Sequence, residues 1–299
     1  MRMLLLLGVL GAFSAYPASQ PVRETVTQAV AAGGQRLVQF RHGYLVALPN
    51  GPGYGFSAFA PDGGLAFHKV IELPGGGSQA SAADVDFDAD GTAAVAVSAI
   101  GSTSCMSHGV LLLDHTGRDI RFIDTGCYIP CHIAVAPDHS IWTLGMEEKQ
   151  DYTMVRQFVD GKPADGFLAR SLFPKGLGPG YSGDELRIVV TPDRVGVLVY
   201  SGNESAKREW VELDLKGRVV ERLRIDNVVS SPARVAFTDD DHVYLQGNGA
   251  GGLFTLDAAL HTWKPVPNQG AGLSGADGKD LVYRKPCCGP IQLQWFHQP

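Results

Sequence analysis

The chain has 299 residues, 44% of them hydrophobic and 19% charged, and 37 are glycine. That balance excludes a disordered chain, and a glycine share of about 12% without a Gly-X-Y period excludes collagen. A net charge of −6 with no basic block argues against nucleic-acid binding, and five cysteines are too few for a disulfide scaffold.

The chain opens with MRMLLLLGVLGAFSAYPASQ. Arg2, an apolar run from Leu4 to Phe13 and the small residues Ala12, Ser14, Ala15 and Ala18 form the pattern of a cleaved signal peptide. The expected boundaries are residues 1–18 for the signal and 22–299 for a single domain. The run is too short to span a bilayer, which needs about 20 apolar residues. An exported protein, secreted or periplasmic, is expected, with no membrane span.

After an extended stretch, Val22 to Val30, short apolar runs alternate around Gly- or Asp-centred turns. Such runs read as β-hairpins. The first kind of hairpin occurs in RLVQFRHGYLVAL from Arg36, ADVDFDADGTAAVAVS from Ala83 and CHIAVAPDHSIWTLG from Cys131. It returns in LRIVVTPDRVGVLVYSG from Leu186, ARVAFTDDDHVYLQG from Ala233 and AGLSGADGKDLVYRK from Ala271. The turn anchors are His42, Asp90, Asp138, Asp193, Asp240 and Asp277. From position 42 to position 277 there are five steps of about 47 residues each. A second hairpin lies between successive copies of the first, beginning at Phe56, Gly109, Met154, Trp210 and Gly252. Each unit therefore holds four strands, A to D, which is the composition of a propeller blade. The predicted fold is all-β, a six-bladed β-propeller of four-stranded antiparallel blades. The sixth unit lacks its own strand D, so the stretch from Val22 to Val30 is expected to supply it. Closure of this kind removes exposed strand edges.

Pro130 to Asp138 and Pro232 to Phe237 resemble the innermost strand of NHL-type blades. The six-unit count is similar to that of the gluconolactonase group of propellers. The resemblance implies the architecture and one possible chemistry, metal-dependent lactone hydrolysis with an ion held by carboxylate and Asn oxygens at the channel mouth.

In propellers of this kind the D–A and B–C loops share one face, where a ligand usually sits. Much of the glycine excess falls in those loops, and loops on a rigid scaffold are where function concentrates. Six residues before each anchor lie Arg36, Asp84, His132, Arg187, Arg234 and Ala271. They are expected to form a polar ring above an apolar layer. Three Arg and one His suit an anionic group; alternatively, pairs such as Arg36–Asp84 are salt bridges between blades. Asp84, with Asp86 two residues on, is the ring's only acid and no Asn accompanies it, which counts against the hydrolase.

Cys105, His108, Cys127, Cys131 and His132 form a second constellation. It reads as a disulfide from Cys105 to Cys127 or Cys131, as a zinc or copper site, or as reduced thiols. Cys287 and Cys288 are candidates for a vicinal disulfide or for pairing elsewhere. Gly180 to Asp184 lacks the final Gly of a nucleophile elbow. Glu147, Glu148 and Asp151 are either a solvated loop or oxygen ligands for calcium. The four Trp fall on predicted strands and read as blade packing. The expected function is that of a non-enzymatic binding module and monomer, without a required cofactor. Its partner would be a small anionic ligand or an envelope or extracellular protein.

Overall fold

The computed structural model describes residues 20–30, 35–49, 55–73, 80–99, 108–148, 151–173, 177–178, 188–201, 208–225, 228, 234–247, 252–269, 272–285 and 290–298. The expected signal segment lies outside them. Strand β1 (Arg23–Val30) comes first. Blade 1 holds β2 (Gln35–Arg41), β3 (Tyr44–Pro49), β4 (Gly55–Phe59) and β5 (Leu65–Val70). Blade 2 holds β6 (Ala80–Phe87), β7 (Ala93–Ala99), β8 (His108–Leu113) and β9 (Asp119–Asp124). Blade 3 holds β10 (Ile129–Val135), β11 (Ile141–Met146), β12 (Thr153–Val159) and β13 (Lys162–Ala169). Blade 4 holds β14 (Leu177–Gly178), β15 (Ile188–Val190), β16 (Arg194–Ser201), β17 (Arg208–Asp214) and β18 (Val219–Arg224). Blade 5 holds β19 (Arg234–Phe237), β20 (Val243–Gln246), β21 (Leu253–Asp257) and β22 (Thr262–Val266). Blade 6 holds β23 (Gly272–Asp277), β24 (Asp280–Lys285) and β25 (Pro290–His297), and its sheet order is β1-β25-β24-β23. The N-terminal strand thus completes the last blade, antiparallel to β25, with Thr25 opposite Leu293.

Consecutive strands within each sheet pair antiparallel, and each hairpin carries its own turn chemistry. His42 and Gly43 both adopt positive φ, 44° and 87°, as a two-residue loop following the right-handed strand twist requires. In the wider turns an Asp side chain accepts the N–H two residues on: Asp90 from Thr92 (2.8 Å), Asp138 from Ser140 (3.0 Å) and Asp214 from Lys216 (3.0 Å).

Alternation sends the two faces of a strand to different neighbours. On β7, Ala93, Val95 and Val97 pack towards blade 1, and Ala94 and Ala96 towards blade 3. Among the described residues the buried apolar side chains form six clusters, one for each junction between neighbouring blades, including blade 6 with blade 1. Six junctions for six blades is the signature of a closed ring. The outer D strands are largely exposed instead, as in β18, where the adjacent Val219 and Val220 both face solvent.

Trp142, Trp210 and Trp295 are buried in these junctions. Each indole N–H finds an acceptor: the Ser140 hydroxyl (3.0 Å), the Glu212 carboxylate (2.9 Å) and the Asp277 carboxylate (2.9 Å). Blade 4 departs from the predicted pattern. Its strand A is split, with β15 pairing to residues 195–197 of β16 and β14 to residues 200–201. The Gly-rich sequence around Leu177 carries no alternation that would have marked β14.

At Gly275 in β23 the innermost strands of blades 6 and 1 nearly touch. A Cβ there would lie 2.2 Å from the Phe40 carbonyl oxygen. Backbone cannot move aside as a side-chain tip can. Gly275→Ala is therefore expected to cost about 3 kcal/mol, the upper range for overpacking, read from denaturant midpoints. An unchanged midpoint would mean that the two strands do not approach this closely.

Candidate ligand-binding site

The polar ring expected from the sequence is mostly internal. Asp84, in β6, is 1% exposed. One of its oxygens (Oδ2) accepts the N–H of Ile133 in the next blade (3.0 Å) and lies 3.3 Å from the Arg41 guanidinium. Asp86 repeats the arrangement one pleat further on, accepting the N–H of Val135 (2.8 Å), with Arg41 at 3.6 Å. His132 is buried in β10 with Nδ1 3.9 Å from Asp84 Oδ2. Arg234, half-buried in β19, donates to the Leu273 carbonyl of blade 6 (2.7 Å). These four groups are occupied with joining blades. Arg36 lies in β2, but its side chain is outside the described residues, as is the whole of Arg187.

Arg41 was not among the residues the repeat picked out. It is 6% exposed and serves two carboxylates, the Ile133 carbonyl (3.4 Å) and Gln39 Oε1 (2.9 Å). The available signal was Asp84-x-Asp86. Two acids two apart on a strand share one face, and a buried pair needs a cation. Burial pushes Asp84 up to about 6, against Arg41 and the Ile133 N–H. Burial also acts to raise Asp86, but His42, Arg41 and the Val135 N–H outweigh it and hold this carboxyl below the ordinary Asp range.

The strand A turns of all six blades surround a cavity of about 500 Å³. Phe40–Gly43, Asp86, Ala134 with Pro137, Val189–Pro192, Ala236–Asp239 with Asp241, and Gly275–Gly278 line it in blade order. It opens on the A–B turn side, the face that the sequence reading set aside from ligand binding. Most of the loops assigned to the opposite face lie outside the described residues.

The cavity has three chemical zones. Val189, Val190, Pro192 and Phe237 give an apolar wall. His42 lines it from blade 1, its side chain 48% exposed and Nδ1 3.1 Å from Asp86 Oδ1. The negative charge of Asp86 raises the His42 pKa above the usual histidine range. The carboxylates of Asp239 and Asp241, exposed on blade 5, have no hydrogen-bond or ion-pair partner among the described residues.

The other expected constellations lie only partly within the described residues. Cys131 is a buried thiol in β10. Cys127 sits in the turn before that strand, whereas Cys105, Cys287 and Cys288 lie outside the described residues. His108 begins β8, buried, and burial lowers its pKa. Glu147 pairs with Arg156, and Asp151 accepts the Ser171 N–H (3.0 Å). Among the described residues no group of three or more His, Cys, Asp or Glu is placed to hold a metal ion. None of their helices is long and apolar enough to cross a membrane.

No family model and no curated protein matches the chain. Among solved structures it is similar to a protein of unknown function from Bacteroides caccae, at 12% identity and a TM-score of 0.45, over 81% of this chain and 85% of that one. It is also similar to virginiamycin B lyase from Staphylococcus aureus, at 11% identity and a TM-score of 0.45, over 92% of this chain and 99% of that one. A catalytically inactive variant of that lyase with quinupristin matches at 13% identity and 0.46, with the same coverage. These are likenesses of fold alone. By its own strand pairing and blade junctions, the chain is a six-bladed β-propeller of four-stranded antiparallel blades.

Proposed function

We propose that the protein is an exported binding module that holds a small ligand in the axial cavity on the A–B turn side. The observation that carries this reading is the cavity itself. It is about 500 Å³, walled by all six blades, and combines an apolar surface with a few polar groups. That is the usual make-up of a small-molecule site. The lactone-hydrolase alternative would need carboxylate and Asn oxygens gathered at a channel mouth. The described residues around this cavity supply no Asn.

The opposite mouth, where Arg36 and Arg187 belong by sequence, is where an anionic ligand was expected. A fragment screen by ligand-observed NMR separates the two mouths. Hits at the axial cavity are expected to be displaced by Asp239→Asn/Asp241→Asn, with cationic hits weakened tenfold or more, and to be untouched by Arg187→Ala. Hits that respond only to Arg187→Ala would move the site to the other face. An absence of hits would sink the binding reading. Neither carboxylate has a partner to lose among the described residues, so the double variant is expected to fold normally.

A further inference from the structure

Three turn histidines occupy left-handed backbone positions: His42 (φ 44°), His139 (67°) and His261 (51°). Glycine or asparagine meets that conformation at least as easily, so the backbone alone does not call for histidine. What the three share is a carboxylate on the neighbouring blade. His42 of blade 1 lies 3.1 Å from Asp86 of blade 2, and His139 of blade 3 lies 2.5 Å from Asp88 of blade 2. His261 of blade 5 meets Glu221 of blade 4. The first two grip blade 2 from both sides. Both belong to turns at the axial cavity: Arg41–Gly43 line it from blade 1, and Pro137, two residues before His139, lines it from blade 3. Both imidazoles are open to solvent, His42 by about half and His139 by more.

We propose that His42 and His139 are a pH-sensitive clasp on the cavity rim, which ties the A–B turns of blades 1 and 3 to blade 2 when the imidazoles are protonated and loosens when they are neutral. A neutral imidazole still donates one hydrogen bond, but the ionic part of the contact is gone. The charged groups that bear on His42 are Asp86 and Asp88 from blade 2 and Arg41 on its own strand. Those that bear on His139 are Asp88 and Asp90 from blade 2 and Asp138 in its own turn. The charge of Asp86 raises His42, and the hydrogen bond to Asp88 raises His139, both above the usual histidine range. Asp86 is held below the ordinary Asp range, so it stays ionised throughout. A histidine raised in the folded state contributes stability that is fully present below its unfolded pKa and is lost as pH rises through the folded value. The rim is therefore held most firmly in mild acid. The clasp acts on the rim itself, and its test needs no ligand.

The fold contains its own control. The His139 N–H donates to the Ala136 carbonyl (2.9 Å), and in the matching turn of blade 5 the Asp241 N–H donates to the Thr238 carbonyl (3.0 Å). The histidine of that turn, His242, pairs with Asp240 inside the turn (3.2 Å) rather than with a neighbouring blade. The test is amide hydrogen exchange by NMR on the full chain at pH 5.5 and 8.5, expressed as protection factors so that the intrinsic pH effect is removed. Protection of the His139 amide is expected to fall by roughly threefold or more between the two values, as local opening becomes easier, while that of Asp241 holds. His42→Asn/His139→Asn keeps both turns, since Asn tolerates positive φ. It is expected to lose the extra stability at pH 5.5 relative to pH 8.5 that urea midpoints show for the native chain. In the native chain the His42 and His139 imidazoles should titrate above the ordinary histidine value, and Asp88→Asn should lower the His139 midpoint. A His139 protection factor that is equal at the two pH values, or a double variant with the native pH profile, overturns the proposal. Should the double variant not fold, the native imidazole titrations decide: midpoints at or below the ordinary histidine value overturn it as well.

Discussion

Replacing Arg41 by Met is expected to destabilise the protein by about 3–5 kcal/mol near neutral pH, the usual cost of stranding one side of a buried ion pair. The variant leaves Asp84 and Asp86 at 1% exposure without the guanidinium, supported by backbone N–H groups and, for Asp86, by His42. For a domain of this size that corresponds to a fall in Tm on the order of 10 °C. The pH dependence carries the mechanism. In the native protein Asp84 is raised to about 6. Its folded form binds the proton more tightly than the unfolded chain does. This group therefore favours folding most at acid pH, and that contribution is lost as pH rises through about 6. Asp86 is lowered, so its contribution is present above the ordinary Asp range and is lost as pH falls through the lowered value. Arg41 pulls both carboxyls down. Without it both rise, and the variant should recover part of its deficit at pH 5 relative to pH 7.5. Urea titrations at the two pH values measure this. A deficit that does not change with pH would show that Arg41 acts through packing rather than charge. The triple variant Arg41→Met/Asp84→Asn/Asp86→Asn is expected to regain much of the loss, because it removes the charges together.

Deleting residues 20–30 is expected to open the ring. β1 pairs with β25 from Arg23 opposite Trp295 to Val26 opposite Gln292. It also crosses the junction between the last and first blades. The Arg23 guanidinium sits over the Trp295 ring at 4.4 Å and donates to the Pro61 carbonyl of blade 1 (2.7 Å). Removing the strand bares the backbone edge of β25, a ready template for pairing with another chain. The expected result is a Tm lower by 10 °C or more and a shift from monomer to aggregates in size-exclusion chromatography. A synthetic peptide of residues 20–30 should partly restore the monomer. A truncated chain that stays monomeric with an unchanged Tm would mean that the blade junctions alone hold the ring.

Which parts were legible in the sequence follows from the range of the interactions. The His42-Gly43 turn and the Asp-centred turns were legible because their hydrogen bonds close within a few residues. The blades were legible because strand alternation is local. Closure by β1 followed from counting strands. Arg41 was missed because its partners in other blades are 43 or more residues away, and those blades meet only once the ring has formed. Asp84 and His132 were recognised as channel-side residues, but alternation cannot say whether such a side chain faces open space or the next blade. β14 was missed because two residues paired across a long excursion leave no periodic trace.

The site was less legible than the fold, for the same reason. Glycine-rich loops drew the expected ligand to the D–A and B–C side. The cavity lies on the A–B side, where each turn looks like ordinary hairpin punctuation. Its chemistry is assembled from groups that are unremarkable alone: an imidazole from blade 1, a carboxylate from blade 2, an apolar wall from blades 4 and 5, and two aspartates from blade 5.

By itself, then, the sequence determined the strands, their grouping into six four-stranded blades and the closure of the last blade by the first strand. Each of these depends on period-2 alternation, turn residues and a count. Only the tertiary structure decided which polar side chains are spent joining blades, which remain unpartnered and which end of the axis holds a cavity. Those outcomes depend on distances between residues brought together by ring closure, and spacing along the chain does not carry them.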